Sequence, residues 1–507
     1  MTPSKLSMNF TLDDFTPEAS PVTELPPSYP SEKGLYVEPT PEPHAAGRLP
    51  EEVYTNTLPW WRAAARRKLV GVVEWESAIL ARWQAKIRTP WLDTYFLQTS
   101  MLGTHTFFMV FLPCFFFFGH HEMGRGLIYV LAFGVYSSSF VKDLVCSPRP
   151  HSPPVTRLTI GLHHLEYGFP STHSTNSTSM ALFMIAHAQS LHASGSISTP
   201  AFAAFTAFLT FYVASIVGGR LYTGMHGFAD CTAGVLLGAA VWAVQHTAMP
   251  IVEGWLVAGN WGVPLAATAV CLLLVNQHPQ PVDDCPCFED AIAFISVVLG
   301  VLVSLWASKC IPALDPVLFV SRTPGHALET PLEISMWMSF AVLKLLSGVL
   351  AIFTWRLIAK PTVQVLLPPI FRWLARESPV ALPTRRHYTA ATDYVNGPPH
   401  NLRTIPSVID LNLTVTESAE EDDAVTTGLK QRVSPAARRR GVSNLEKTAT
   451  FEADEGGAQA DFVKHYDADV LTKVVVYAGI GVLASVAIPA AFEALSWGVG
   501  SPADLLV

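Results

Sequence analysis

Lys142-Asp-Leu-Val-Cys-Ser-Pro-Arg149-Pro150, Phe169-Pro170-Ser171-Thr172-His173-Ser174 and Gly219-Arg220-Leu-Tyr-Thr-Gly-Met-His226-Gly-Phe-Ala-Asp230 are three polar clusters in one stretch, Lys142 to Asp230. Each lies at the edge of an apolar segment long enough to cross a bilayer. Three span edges therefore each supply a basic or imidazole group. If the edges meet, they form one anion site containing two histidines.

Outward from that stretch, the chain is 50% apolar and only 15% charged. This excludes a disordered chain and indicates a polytopic membrane protein. The fold expected is an all-α helical bundle. A hydrocarbon core of about 30 Å needs about 20 apolar residues per helix. By that measure nine spans are expected: 94–118, 125–143, 173–193, 200–219, 229–249, 258–275, 289–307, 334–358 and 472–494. Pro113 is expected to kink or end the first. The seven cysteines are odd in number and scattered, so no disulfide framework is expected. Cys285-Pro-Cys287, the one close pair, reads as ordinary loop cysteines, because a metal site needs more ligands nearby.

The remaining segments follow from composition. Residues 1–58 are rich in Pro, Ser, Thr and Glu and read as a disordered tail. No apolar run lies near Met1, so targeting is expected from the first span rather than from a cleaved signal. Residues 59–93 carry five Trp and a string of Arg and Lys (Arg62 to Arg88), the pattern of a basic amphipathic helix at a membrane surface or in water. Residues 94–250 hold the three clusters and form the core. Residues 251–358 add further spans, 359–470 are polar and mostly disordered, and 471–507 hold the last span and the C-terminus.

The clusters have a common chemistry. His226 and Asp230 are four residues apart and share one face of a helix. A carboxylate beside an imidazole fixes its tautomer, as a nucleophile or base requires. Arg220 lies across a turn containing Gly224. Lys142 sits near a span end, where a charge usually faces a cavity or a partner. Arg149, between two prolines, can grip two oxygens of an anion. Ser171 and Thr172 stand at a helix start, where free N–H groups favour phosphate, with His173 in the first turn. Taken singly, these residues read as headgroup anchors, snorkelling bases and a plain capped helix.

Together, Lys-x6-Arg-Pro, Pro-Ser-Thr-His and Arg-x5-His-x3-Asp resemble the signature of the type 2 phosphatidic acid phosphatase superfamily, which includes vanadium haloperoxidases and glucose 6-phosphatase. Thr172 stands where that superfamily usually has Gly, and Gly219 where it has Ser. The runs Gly168 to Asn176 and Arg220 to His226 look like the sphingosine 1-phosphate phosphatases, including fungal long-chain-base phosphate phosphatases; Cys285 to Asp290 also looks like the fungal members. The resemblance implies a lipid phosphate phosphatase acting on sphinganine, phytosphingosine or sphingosine 1-phosphate. His226 would attack phosphorus, Asp230 would orient it and His173 would serve the leaving alcohol and water. Lys142, Arg149, Ser171, Thr172 and Arg220 would hold the phosphate. No metal, cofactor or nucleic acid is expected. Phosphatidate, a polyprenyl diphosphate or transfer to an alcohol remain alternatives. The resemblance places the protein in the endoplasmic reticulum membrane with a luminal site, whereas the basic residues between Arg62 and Arg88 argue for a cytosolic one.

Overall fold

The computed structural model describes residues 45–103, 105–158, 166–283, 285–377 and 468–500. Most of the segments read as tail (1–58) and polar insert (359–470) lie outside these residues.

The described residues form an all-α membrane protein. The helices are α1 (Glu51–Thr57), α2 (Trp60–Ile87), α3 (Pro90–Ser100), α4 (His105–Phe117), α5 (His121–Val145), α6 (Thr172–Ala193), α7 (Thr199–Tyr222) and α8 (Phe228–Ala258). They continue with α9 (Gly262–Gln277), α10 (Cys287–Cys310), α11 (Pro331–Glu377), α12 (Ala468–Val482) and, after a π turn, α13 (Ile488–Ala494). Among the described residues, six helices are long and apolar enough to cross a membrane, or seven if the pair α3–α4, bent by 51°, is one span. Nine were expected. Helix α6 misses the test because its first turns are Thr-His-Ser-Thr-Asn-Ser-Thr-Ser, and α9 because it has only 16 residues. The bend that Pro113 was expected to cause falls earlier, between α3 and α4, and Pro113 lies inside α4.

The core lies where α4, α5, α10 and α12 meet. Phe108, Phe116, Leu127, Leu131, Val301 and Ile480 are buried there in one cluster. The polar start of α6 is buried too: Ser174, Thr175 and Ser179 are fully enclosed among α5, α7 and α8. Polar side chains this deep mark a cavity or site.

Two segments differ from their sequence reading. Residues 45–58, placed in the tail, include α1, and Tyr54 is fully buried with its hydroxyl donating to the Asp283 carboxylate at 2.8 Å. Helix α11 runs on past residue 358 to Glu377.

Helix α2 is a strap. Its inward face, Arg66, Val73, Glu76, Ser77, Leu80 and Gln84, is buried, while Trp60 and Trp75 are exposed. The inward polar groups bond to loop backbone. Arg62 donates to the Leu144 and Asp143 carbonyls, both at 2.6 Å. Ser77 Oγ accepts from His151 N at 3.0 Å. Gln84 Nε2 donates to Thr156 O at 2.9 Å and Tyr222 O at 2.8 Å, and its Oε1 accepts from Thr156 N at 2.9 Å. One helix thus satisfies the backbone of both loops that carry the first and third clusters.

Candidate active site

Each cluster sits at the end of a helix whose termination is visible in the chain. Helix α5 stops at Cys146, which takes the left-handed conformation at φ 49°, and the chain then turns through Pro148-Arg149-Pro150. Ser171 caps α6, its Oγ accepting from Ser174 N at 3.3 Å, and Ser171 N donates to Asp230 O at 3.0 Å. Helix α7 ends in a turn at Gly224, φ +67°, where a Cβ would come within 2.6 Å of Val155 Cγ1. Only glycine meets both demands. The turn brings His226 back under Arg220, whose carbonyl accepts from His226 N at 3.3 Å.

The three clusters converge. Arg149 Nη1 donates to Met225 O at 2.9 Å and lies 3.0 Å from His226 Nε2. His226 Nδ1 lies 3.6 Å from Asp230 Oδ2. Nε2 therefore faces the cations as an acceptor, and the proton belongs on Nδ1, toward the carboxylate. Asp230 Oδ2 accepts from Gly227 N at 2.9 Å, which fixes the carboxylate at the start of α8. Burial, then Arg149, Lys142, Arg220 and His173, hold the His226 imidazole well below its ordinary pKa, so it is neutral near pH 7. Arg220 is buried, and its Nε has no hydrogen-bond partner among the described residues. His173 and Thr172 are half-buried and line a cavity with Lys142. Every residue named from the sequence is thus at or beside one site.

Two acidic residues at the site were missed. The Glu166 carboxylate bridges two of the cations: Oε2 is 2.7 Å from Lys142 Nζ and 3.3 Å from Arg149 Nη2. Glu76, on the strap, is buried with Oε1 accepting from Ala229 N at 2.9 Å; its other oxygen presses on Gly227, where no Cβ would fit. Burial pushes the Glu76 carboxyl up, against bonds from the Ala229 and Phe228 amides. Neither residue belongs to a motif, so nothing in local sequence singled them out. Cys285 and Cys287, expected to be plain loop cysteines, are disulfide-bonded to each other.

Enclosed cations around an oriented imidazole, at the edge of a membrane bundle, define a phosphatase-type site. The comparisons agree. The PAP2 superfamily model matches residues 123–252. The chain is 35% identical over 314 residues to a dihydrosphingosine 1-phosphate phosphatase of Schizosaccharomyces pombe, covering 62% of this chain and 73% of that protein. A dihydrosphingosine 1-phosphate phosphatase of Saccharomyces cerevisiae is 34% identical, over 52% of this chain and 65% of its own. Sphingosine-1-phosphate phosphatase 2 of Mus musculus is 28% identical, over 55% and 75%. No solved structure matches. The chain belongs to the PAP2 superfamily and is a phosphatase.

Proposed function

We propose that this protein hydrolyses long-chain base 1-phosphates, of the sphinganine, phytosphingosine or sphingosine type, to the free base and inorganic phosphate through a phosphohistidine at His226. The orientation of the His226 ring carries this proposal: Nε2 is turned to Arg149 at 3.0 Å and Nδ1 to Asp230 at 3.6 Å. An imidazole so held is a nucleophile aimed at an anion held by the same arginine. Three relatives with sphingoid-base phosphates in their names support the choice of substrate.

In the first step Nε2 forms a bond to phosphorus as the ester P–O bond breaks. His173 gives its proton to the leaving alkoxide. Asp230 balances the positive charge that develops on the His226 ring. In the second step His173 takes a proton from water, the water oxygen bonds to phosphorus and the P–N bond breaks, returning its electron pair to Nε2. Lys142, Arg149, Arg220, Ser171 and the start of α6 at Thr172 hold the phosphoryl oxygens. Fixed cations of this kind supply the transition-state stabilisation that phosphoryl transfer needs. The Glu166 carboxylate gives way to the phosphate, exchanging one anion for another at Lys142 and Arg149. The reading extends to a location in the endoplasmic reticulum membrane with the site on the luminal face, as the family resemblance implies.

The test is phosphate release by purified membranes from a panel of lipid phosphates. Release from long-chain base phosphates, without transfer to an added alcohol lipid, is expected. Preference for phosphatidate or a polyprenyl diphosphate would overturn the substrate assignment.

A further inference from the structure

Beside the phosphate cluster is a mixed cavity between α4, α5, α6 and α10. Lys142, Thr172 and His173 line it, and Glu166, Asn176 and Asp290 supply acceptors. Asn176 is only 6% exposed, and among the described residues its Oδ1 has no hydrogen-bond partner. A buried amide oxygen left this way is costly unless a ligand donates to it. Asp290 is likewise buried. Two carboxylates and an amide oxygen suit a group with three N–H donors and a positive charge.

Past Phe108 and Phe294, which line both, lies a second, half-open cavity walled by apolar side chains such as Leu112, Leu131, Val297 and Ile480. A molecule seated here finds cations and acceptors together in the polar cavity and apolar walls next to it. This suits a long-chain base phosphate, whose ammonium is two carbons from the ester oxygen and whose chain follows.

We infer that Glu166, Asn176 and Asp290 form a subsite for the primary ammonium of the substrate, and that the apolar cavity takes its single hydrocarbon chain. The inference rests on the proposed function and says how the site would tell a sphingoid base from a neutral lipid phosphate. Glu166 has two roles. It bridges Lys142 and Arg149 until phosphate replaces it, and it then turns its charge to the ammonium. The exchange couples arrival of the phosphate to completion of the ammonium site.

The test uses full-length protein in detergent and two substrates, sphinganine 1-phosphate and octadecyl phosphate, which lacks the amine. Wild type is expected to favour the amine-bearing substrate in kcat/KM. Asp290→Asn and Asn176→Ala are each expected to lower the ratio of the two kcat/KM values, Asp290→Asn by about 10–100-fold, the usual weight of a hydrogen bond to a charged group. The two variants are read independently, so poor folding of one leaves the other decisive. An unchanged ratio in both, with wild type still favouring the amine, overturns the ammonium site and leaves the proposed function standing. Wild type acting on phosphatidate and on neither test substrate overturns the proposed function and the subsite with it.

Discussion

At the scale of single residues, the candidate site was legible where its residues are local in sequence. His226 and Asp230 are four residues apart, with His226 just before the start of α8, and Ser171, Thr172 and His173 are consecutive; the roles given to them came from the family resemblance. Glu166 and Glu76 were not legible. Their importance lies in contacts with Lys142, Arg149 and Gly227, which only the fold creates. The assigned roles predict that His226→Ala abolishes turnover, since the covalent route is lost. His173→Ala should slow it by about 10²–10⁴-fold, the usual share of general acid–base help. Rapid-quench labelling with radioactive substrate should trap an acid-labile phosphoenzyme in wild type; the same label in His226→Ala would rule out that nucleophile. Turnover should survive excess EDTA and be blocked by vanadate, because Lys142, Arg149 and Arg220 provide the positive charge. Loss with chelator and recovery with Mg²⁺ would exclude this mechanism. The depressed His226 pKa also has a stability consequence. Below its ordinary value of 6.5 the unfolded chain takes up a proton that the folded site refuses. Stability should therefore fall as pH drops below about 6.5. In His226→Gln the acid-side decline in melting temperature should be shallower, and an identical decline would show that other groups cause it.

At the scale of elements, most helices were legible from apolar run length, but the inward contacts of α2 were not. Its Trp and Arg content suggested a helix resting on a surface, and Trp60, Trp61 and Trp75 are exposed. Its other face is buried as a strap against the backbone beside the first and third clusters, and the signal for that lay in its uncharged polar positions. Ser77 and Gln84 fall on the same face as Glu76 and Leu80, and that face is buried. Helix α6 raised the opposite problem: it was listed among the spans, yet its start is polar because it forms a wall of the site. Gln84→Leu tests the strap. It keeps bulk but leaves Thr156 N, Thr156 O and Tyr222 O without their partner. Each buried group so orphaned costs about 1–3 kcal/mol, so a lower melting temperature and a fall in kcat are expected together, with the phosphoenzyme still detectable. Unchanged thermal stability would mean that the strap does not hold the loops.

At the scale of the whole molecule, the open question is which side of the membrane the site faces. Counting spans was a fragile guide, because α3–α4 is bent and α6 and α9 fall short of the test for a span. Contacts are a firmer guide. Tyr54 bonds to Asp283, and α2 bonds to the loops beside Lys142 and Tyr222. The chain around residues 45–87 therefore lies on the catalytic face whatever the number of crossings. The positive-inside rule would put that face in the cytosol because of the Arg62–Arg88 cluster. Three of those arginines are committed elsewhere: Arg62 to the Asp143 and Leu144 carbonyls, Arg66 to Cys146 O and Glu51, and Arg88 to Asp93. The luminal reading rests instead on the resemblance to the sphingosine 1-phosphate phosphatases. A luminal site is therefore expected, and an engineered glycosylation sequon near Gly34 should be modified in microsomes and protected from added protease. An unmodified sequon in a tail that protease removes from sealed microsomes would put the N-terminal segment, and with it His226, in the cytosol.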